Sequence, residues 1–206
     1  MLSRVVSKQK NTGKVSKREI RRQAAQREKR MRVIRIWGPV GIAILGLIIF
    51  AVLRAGNAEE VEGVTIVSSA QSNQHDADLQ IAFGGLPPMG GPHNPIWQNC
   101  GIYDTPVAGE YAIHSMEHGA VWLTYNPDLP ADQISQLQNT VRGDNYLLLS
   151  PYPDQTADIV LTVWDRQLVV DDVNDVRIGQ FIDNYRRTRG PESTSACSGG
   201  VGEPIG

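Results

Sequence analysis

Lysine is absent from most of this 206-residue chain; none occurs after Lys29. A Gly-rich phosphate loop ends in a Lys, so the later region has no such loop, nor a Lys to hold phosphate as a point charge. No nucleophile elbow surrounds Ser115, which leaves a serine hydrolase without support. Internal repeats are also missing, which argues against a solenoid or an array. Cysteine is limited to Cys100 and Cys197. A blue-copper site needs Cys, His and Met close together, but 13 residues separate Cys100 from His114.

Charge is divided between two regions of opposite sign. Residues 1–35 hold 13 Lys and Arg against Glu19 and Glu28, a formal +11. The remaining 7 basic and 20 acidic residues follow, a formal −13. Between the regions runs IWGPVGIAILGLIIFAVL, 18 uncharged residues from Ile36 to Leu53, flanked by Arg35 and Arg54. A bilayer core of roughly 30 Å takes about 20 apolar residues in a helix, so this run is just long enough to span. Trp37 suits the interface, and Pro39 is expected in the first turn, where its missing N–H costs least.

The positive-inside rule keeps the basic end in the cytoplasm and translocates the rest. The expected organisation is a basic cytoplasmic tail at 1–35, a transmembrane helix at 36–54, a linker at 55–62 and an extracytoplasmic domain at 63–206. Gly56 and Ala58 would suit a signal peptidase, but a charged leader of 35 residues is far longer than signal peptides carry. The tail lies against anionic lipid in this reading, and the acidic domain repels phosphate backbones, which excludes nucleic acid as a partner.

Within the domain, β-branched and aromatic runs predict strands at 63–68, 120–125, 146–150 and 158–164, with a fifth at 167–170. Ile134, Leu137 and Val141 form one helical stripe over 131–141, and Ile178, Phe181, Ile182 and Tyr185 another over 175–187, capped by Asn174. The fold class expected is α+β, a mixed or antiparallel sheet with two amphipathic helices on one face. GGLPPMGGPHNP, residues 84–95, must be loop. Both cysteines fall in the translocated part, where thiols oxidise, so a disulfide is expected. Closing a loop of nearly a hundred residues is worth roughly 4–5 kcal/mol in the chain-entropy model.

The four histidines are His75, His93, His114 and His118. HSMEHG places His114, Glu117 and His118 at i, i+3 and i+4, one face if helical; on a strand the two histidines share a face and Glu117 points away. Imidazoles with a carboxylate suit zinc or copper, and His93 on the Gly-Pro loop supplies a third nitrogen. The plain alternative is a hydrogen-bonded polar core. H-x-x-E-H is also the inverted zincin pattern, but Gly119 and the strand-like AVWLTY follow it directly, where a zincin needs a stable helix. Met89 and Met116 are soft ligands that would favour copper(I) if they joined the histidines.

PPMGGPHNPIWQNCGIYDTPV, HSMEHGAVWLTYNPDLPADQ, LLLSPYP and PESTSACSGG, in this order, resemble a bacterial family catalogued as a domain of unknown function, over about residues 75–200. The resemblance implies a membrane anchor, an extracytoplasmic domain, and a polar site that adds His75 to His93, His114, Glu117 and His118. It also implies pattern positions at Trp97, Cys100 and Tyr103. Leu is the residue expected where Met116 stands, and a small or β-branched one at Met89, which argues against a methionine-rich copper site.

The expected function is therefore copper or zinc binding in the bacterial cytoplasmic membrane through His93, His114, Glu117 and His118, with His75 in reserve. Two alternatives follow from the same residues. One is a metal-free module that binds another envelope protein, with Trp97, Tyr103 and Trp122 as aromatic anchors. The other is a hydrolase using zinc-bound water.

Overall fold

A computed structural model describes residues 17–55, 60–68 and 74–205. The first sixteen residues of the tail, and Gly56 and Ala58, lie outside them. The chain divides into two compact units, Met1–Ala58 and Glu59–Gly206.

Among the described residues the first unit is one helix, α1 (Lys17–Ala55). Its stretch Ile20–Phe50 is long and apolar enough to cross a membrane. The helix begins well before the apolar run because residues 17–35 are mostly Arg, Lys, Gln, Ala and Glu, all strong helix formers. Pro39 is consequently inside the helix and not in its first turn. It removes one backbone hydrogen bond there.

The second unit contains β1 (Thr65–Ile66), β2 (Gly101–Ile102), α2 (Gly109–Glu117), β3 (Val121–Tyr125), α3 (Ala131–Val141), β4 (Leu147–Pro151), β5 (Ile159–Val163), β6 (Arg166–Val170) and α4 (Val176–Tyr185). The six strands form one sheet in the order β1-β6-β5-β3-β4-β2. It is mixed: β4 pairs in parallel with β2 and β3, and the remaining pairs are antiparallel. The architecture is α+β, as expected. The first expected strand contracts to two residues, and β2, also two residues, is too short to leave a pattern in the sequence.

Helices lie on both faces of the sheet, which corrects the one-sided arrangement. Strands β3, β4 and β5 are buried at every position. Alternate side chains point to opposite faces. Val121, Leu123, Leu147, Leu149, Ile159 and Leu161 join a core with Leu137 and Val141 of α3 and Ile178, Phe181 and Ile182 of α4. Trp122, Leu148 and Trp164 face the other way and pack with Ala112, Ile113 and Met116 of α2. Trp122 and Tyr103, offered as anchors for a partner, are buried in this second core.

Helix α3 spans the expected residues, and α4 is shorter than expected at both ends. The cap of α4 is Asp175 and not Asn174: its carboxylate accepts from Arg177 N at 2.8 Å and also binds the Arg177 guanidinium. The same guanidinium holds the Asp175 carboxyl below its ordinary pKa. Asn174 instead donates to Asp172 Oδ1 at 3.0 Å. Cys100 and Cys197 are disulfide-bonded, and Cys100 N donates to Cys197 O at 2.8 Å. The bridge ties the C-terminal segment to the start of β2.

Candidate metal centre

Helix α2 is the platform of the site. Eight of its nine residues are buried, Tyr111 excepted, so it shows no amphipathic stripe and reads from sequence as neither helix nor strand. Its first turn is clamped by the loops before it. Glu110 accepts from Ile81 N through Oε2 at 3.1 Å and from Asn94 N through its carbonyl at 3.0 Å. Its last turn is stopped by Gly119 at φ +91°, where a Cβ would lie 2.9 Å from Ser193 O. Gly190 packs so closely on the Met116 and Glu117 carbonyls that any side chain would collide with them.

On this helix His114 and Glu117 stand three apart and share a face. The Gly-Pro loop delivers His93, and its backbone pairs with the 74–76 segment through Asp76 N to His93 O at 2.8 Å and His93 N to Gln74 O at 3.0 Å. That pairing brings in His75. One donor atom from each of His75, His93, His114 and Glu117 lies within 4.8 Å of all the others. The imidazoles meet edge-on or stacked, with ring centroids 4.8–5.0 Å apart.

The hydrogen bonds fix which nitrogens face the centre. His93 Nδ1 lies 2.8 Å from Gly91 O, and His114 Nδ1 lies 2.7 Å from Asn94 O. A carbonyl only accepts, so both Nδ1 atoms carry protons, and the Nε2 atoms are the nitrogens left to face the centre, that of His93 at 2.9 Å from Glu117 Oε2. Backbone carbonyls fix the tautomer of metal-binding histidines in this way. Burial holds the His114 imidazole below its ordinary pKa, aided by neighbouring His118 and His93, and against the Asn94 hydrogen bond and Glu117. A neutral ring is the form that ligates.

Glu117 is fully buried. Its Oε2 is 2.9 Å from His93 Nε2 and 3.6 Å from His75 Nε2, while Oε1 is buried without a hydrogen-bond partner among the described residues. His93 and His114 are likewise buried, whereas the His75 side chain is 39% exposed, so the group opens to solvent past His75.

His118 is turned out of this group. It is the C-cap of α2, and its Nδ1 donates to Ala196 O at 2.7 Å, with Nε2 3.6 Å from Glu192 Oε2. An inverted zincin needs both motif histidines on the ion and the Glu free to activate water. Here the Glu stands in the donor group, and the second His faces the C-terminal segment. Met116 is buried against Trp122 and Ile113, so its thioether belongs to the core. Sequence reasoning did not single out Glu192, although it lies in PESTSACSGG.

A family model described as "Protein of unknown function (DUF3105)" matches residues 74–199. The chain belongs to this family. No curated protein and no solved structure matches it. The DUF3105 segment begins one residue before His75 and closes just past Cys197, so the donor group, His118, Glu192 and the disulfide all lie inside it.

Three imidazoles and a carboxylate make a donor set for zinc or copper(II), since imidazole suits both and no sulfur is offered. A zinc tetrahedron with bonds of about 2.0–2.1 Å sets its ligand atoms roughly 3.3 Å apart. The donor atoms here lie within 4.8 Å of one another, wider than that by about 1.5 Å at most.

Proposed function

We propose that this protein is a membrane-anchored, extracytoplasmic binder of zinc or copper(II), with His75, His93, His114 and Glu117 as ligands. The observation that carries the reading is Glu117. A buried carboxylate with one oxygen unpartnered is costly, and it faces imidazoles whose Nδ1 protons are already committed. A cation among these lone pairs offsets that cost. His118 lies beside the ion in this reading, with its ring edge-on to that of His114 at 4.7 Å.

The anchor is α1, with the basic residues in the cytoplasm of a bacterium and the DUF3105 domain outside, where the disulfide is stable. The domain's acidic balance concentrates cations near its surface. Reporter fusions at either end test the orientation; a reporter active outside when fused to the N-terminus refutes it.

A second reading is favoured by the short contact between His93 Nε2 and Glu117 Oε2. A proton on Nε2 would make that contact a buried ion pair, and the cluster would then brace the Gly-Pro loop without metal. One experiment separates the two. The full chain, purified in detergent without a polyhistidine tag or chelator, is assayed for metals by mass spectrometry alongside His114→Ala and Glu117→Gln. Near-stoichiometric zinc or copper that is lost in both variants supports the metal centre. A folded protein that takes up neither ion when offered them refutes it and leaves the brace.

A further inference from the structure

The four-ligand reading leaves a neighbouring pair of donors unused. His118 is 4% exposed, and its Nδ1 is committed to Ala196 O at 2.7 Å, so Nε2 is the nitrogen left to ligate. That atom is 3.6 Å from Glu192 Oε2, whose side chain is 49% exposed. The gap exceeds the usual N–H···O range, which ends near about 3.2 Å. It is close to the roughly 3.3 Å that separates two ligands sharing one zinc or copper ion. The same 3.6 Å separates His75 Nε2 from Glu117 Oε2 in the buried group.

Both donors are held in place by the fold. Glu192 N donates to Glu117 O at 3.0 Å, which hangs Glu192 on the last turn of α2, and Ser195 N closes a turn onto Glu192 O at 2.8 Å. Ser195 Oγ lies 3.5 Å from Glu192 Oε2. Ala196, whose carbonyl fixes the His118 tautomer, precedes the disulfide-bonded Cys197. Trp97 packs on His118 with ring centroids 4.8 Å apart.

We propose that His118 and Glu192 form a second site for a divalent transition metal, weaker than the buried one and open to solvent. The proposal rests on the reading of His75, His93, His114 and Glu117 as the first site. Two protein ligands leave the other coordination positions to water, so this ion binds loosely and exchanges fast. The H-x-x-E-H motif then serves two ions, with His114 and Glu117 on one and His118 on the other.

The test is zinc stoichiometry of the full chain in detergent, by equilibrium dialysis and competition with a chromophoric chelator. The expected result is two ions, the second bound at least about tenfold more weakly, a difference of about 1.4 kcal/mol. Glu192→Gln, an exposed change that spares the core, is expected to lose the weak ion and keep the tight one. His118→Ala does the same, and Glu117→Gln loses the tight one. A weak ion that survives Glu192→Gln overturns the second site. A single ion lost in Glu117→Gln but kept in Glu192→Gln overturns the second site and leaves the first standing. A single ion lost only in Glu192→Gln, or no ion at all, overturns the four-ligand reading and this proposal with it.

Discussion

The two faces of the sheet are built from different chemistry. On the α3 and α4 side the core is mostly aliphatic, with Leu123, Leu149, Leu161 and Leu168 packed in one cluster with Phe181 and Ile182. On the α2 side it is aromatic and polar. Trp122, Tyr152 and Trp164 share that side with buried Ser150, Thr162, Gln167, His93, His114 and Glu117. Apolar burial needs no direction, so the first face can be held by shape alone. A buried polar group must find a partner, so the second face is held by aimed contacts: Trp122 Nε1 to Ser150 Oγ at 3.0 Å, and Gln167 Nε2 to Thr162 Oγ1 at 3.0 Å and Pro87 O at 2.9 Å. One side supplies stability, and the other holds loops and donors in fixed positions.

The division is tested first where it predicts the largest effect. Phe181→Ala, at a fully buried position, should cost about 3–5 kcal/mol in urea unfolding while the folded protein keeps its metal content. Loss of metal from the folded variant would show that the faces are not independent. Next, zinc at a hundred times the dissociation constant of the buried site should stabilise the wild type by about 2.7 kcal/mol more than Glu117→Gln, which keeps only the weaker ion, as read by calorimetry. Equal stabilisation of both would place the ion elsewhere. Ser150→Ala, which strands the Trp122 N–H, should cost about 1–3 kcal/mol, far more than removing a hydroxyl from the surface. The smallest effect is Asp175→Ala at the cap of α4, about 1 kcal/mol by denaturant titration, with metal uptake unchanged.

Much of the aliphatic face could be read in advance. Strands β3 to β6 show as runs of β-branched and aromatic residues, and helix α3 as an apolar stripe, so the expected elements fall within a residue or two of the observed ones. Helix α2 gave no such signal, because a helix buried nearly all round has no polar face to set its period. The donors were legible as types but not as a set. His114, Glu117 and His118 look equivalent in HSMEHG, yet the cap geometry turns His118 toward Ala196, 78 residues away in sequence. Glu192 is one of 22 acids, and nothing local marks it.

The sequence by itself determined the long apolar helix, the opposed charges of tail and domain, the α+β class, the paired cysteines and the pool of histidines. Each of these is written in composition or in short-range periodicity. Only the tertiary structure decided that helices cover both faces, that His75 and His93 close on His114 and Glu117, and that His118 stands with Glu192. Those outcomes depend on backbone contacts between distant segments, where carbonyls of Gly91, Asn94 and Ala196 choose the direction of each ring. No local pattern encodes which carbonyl will be there.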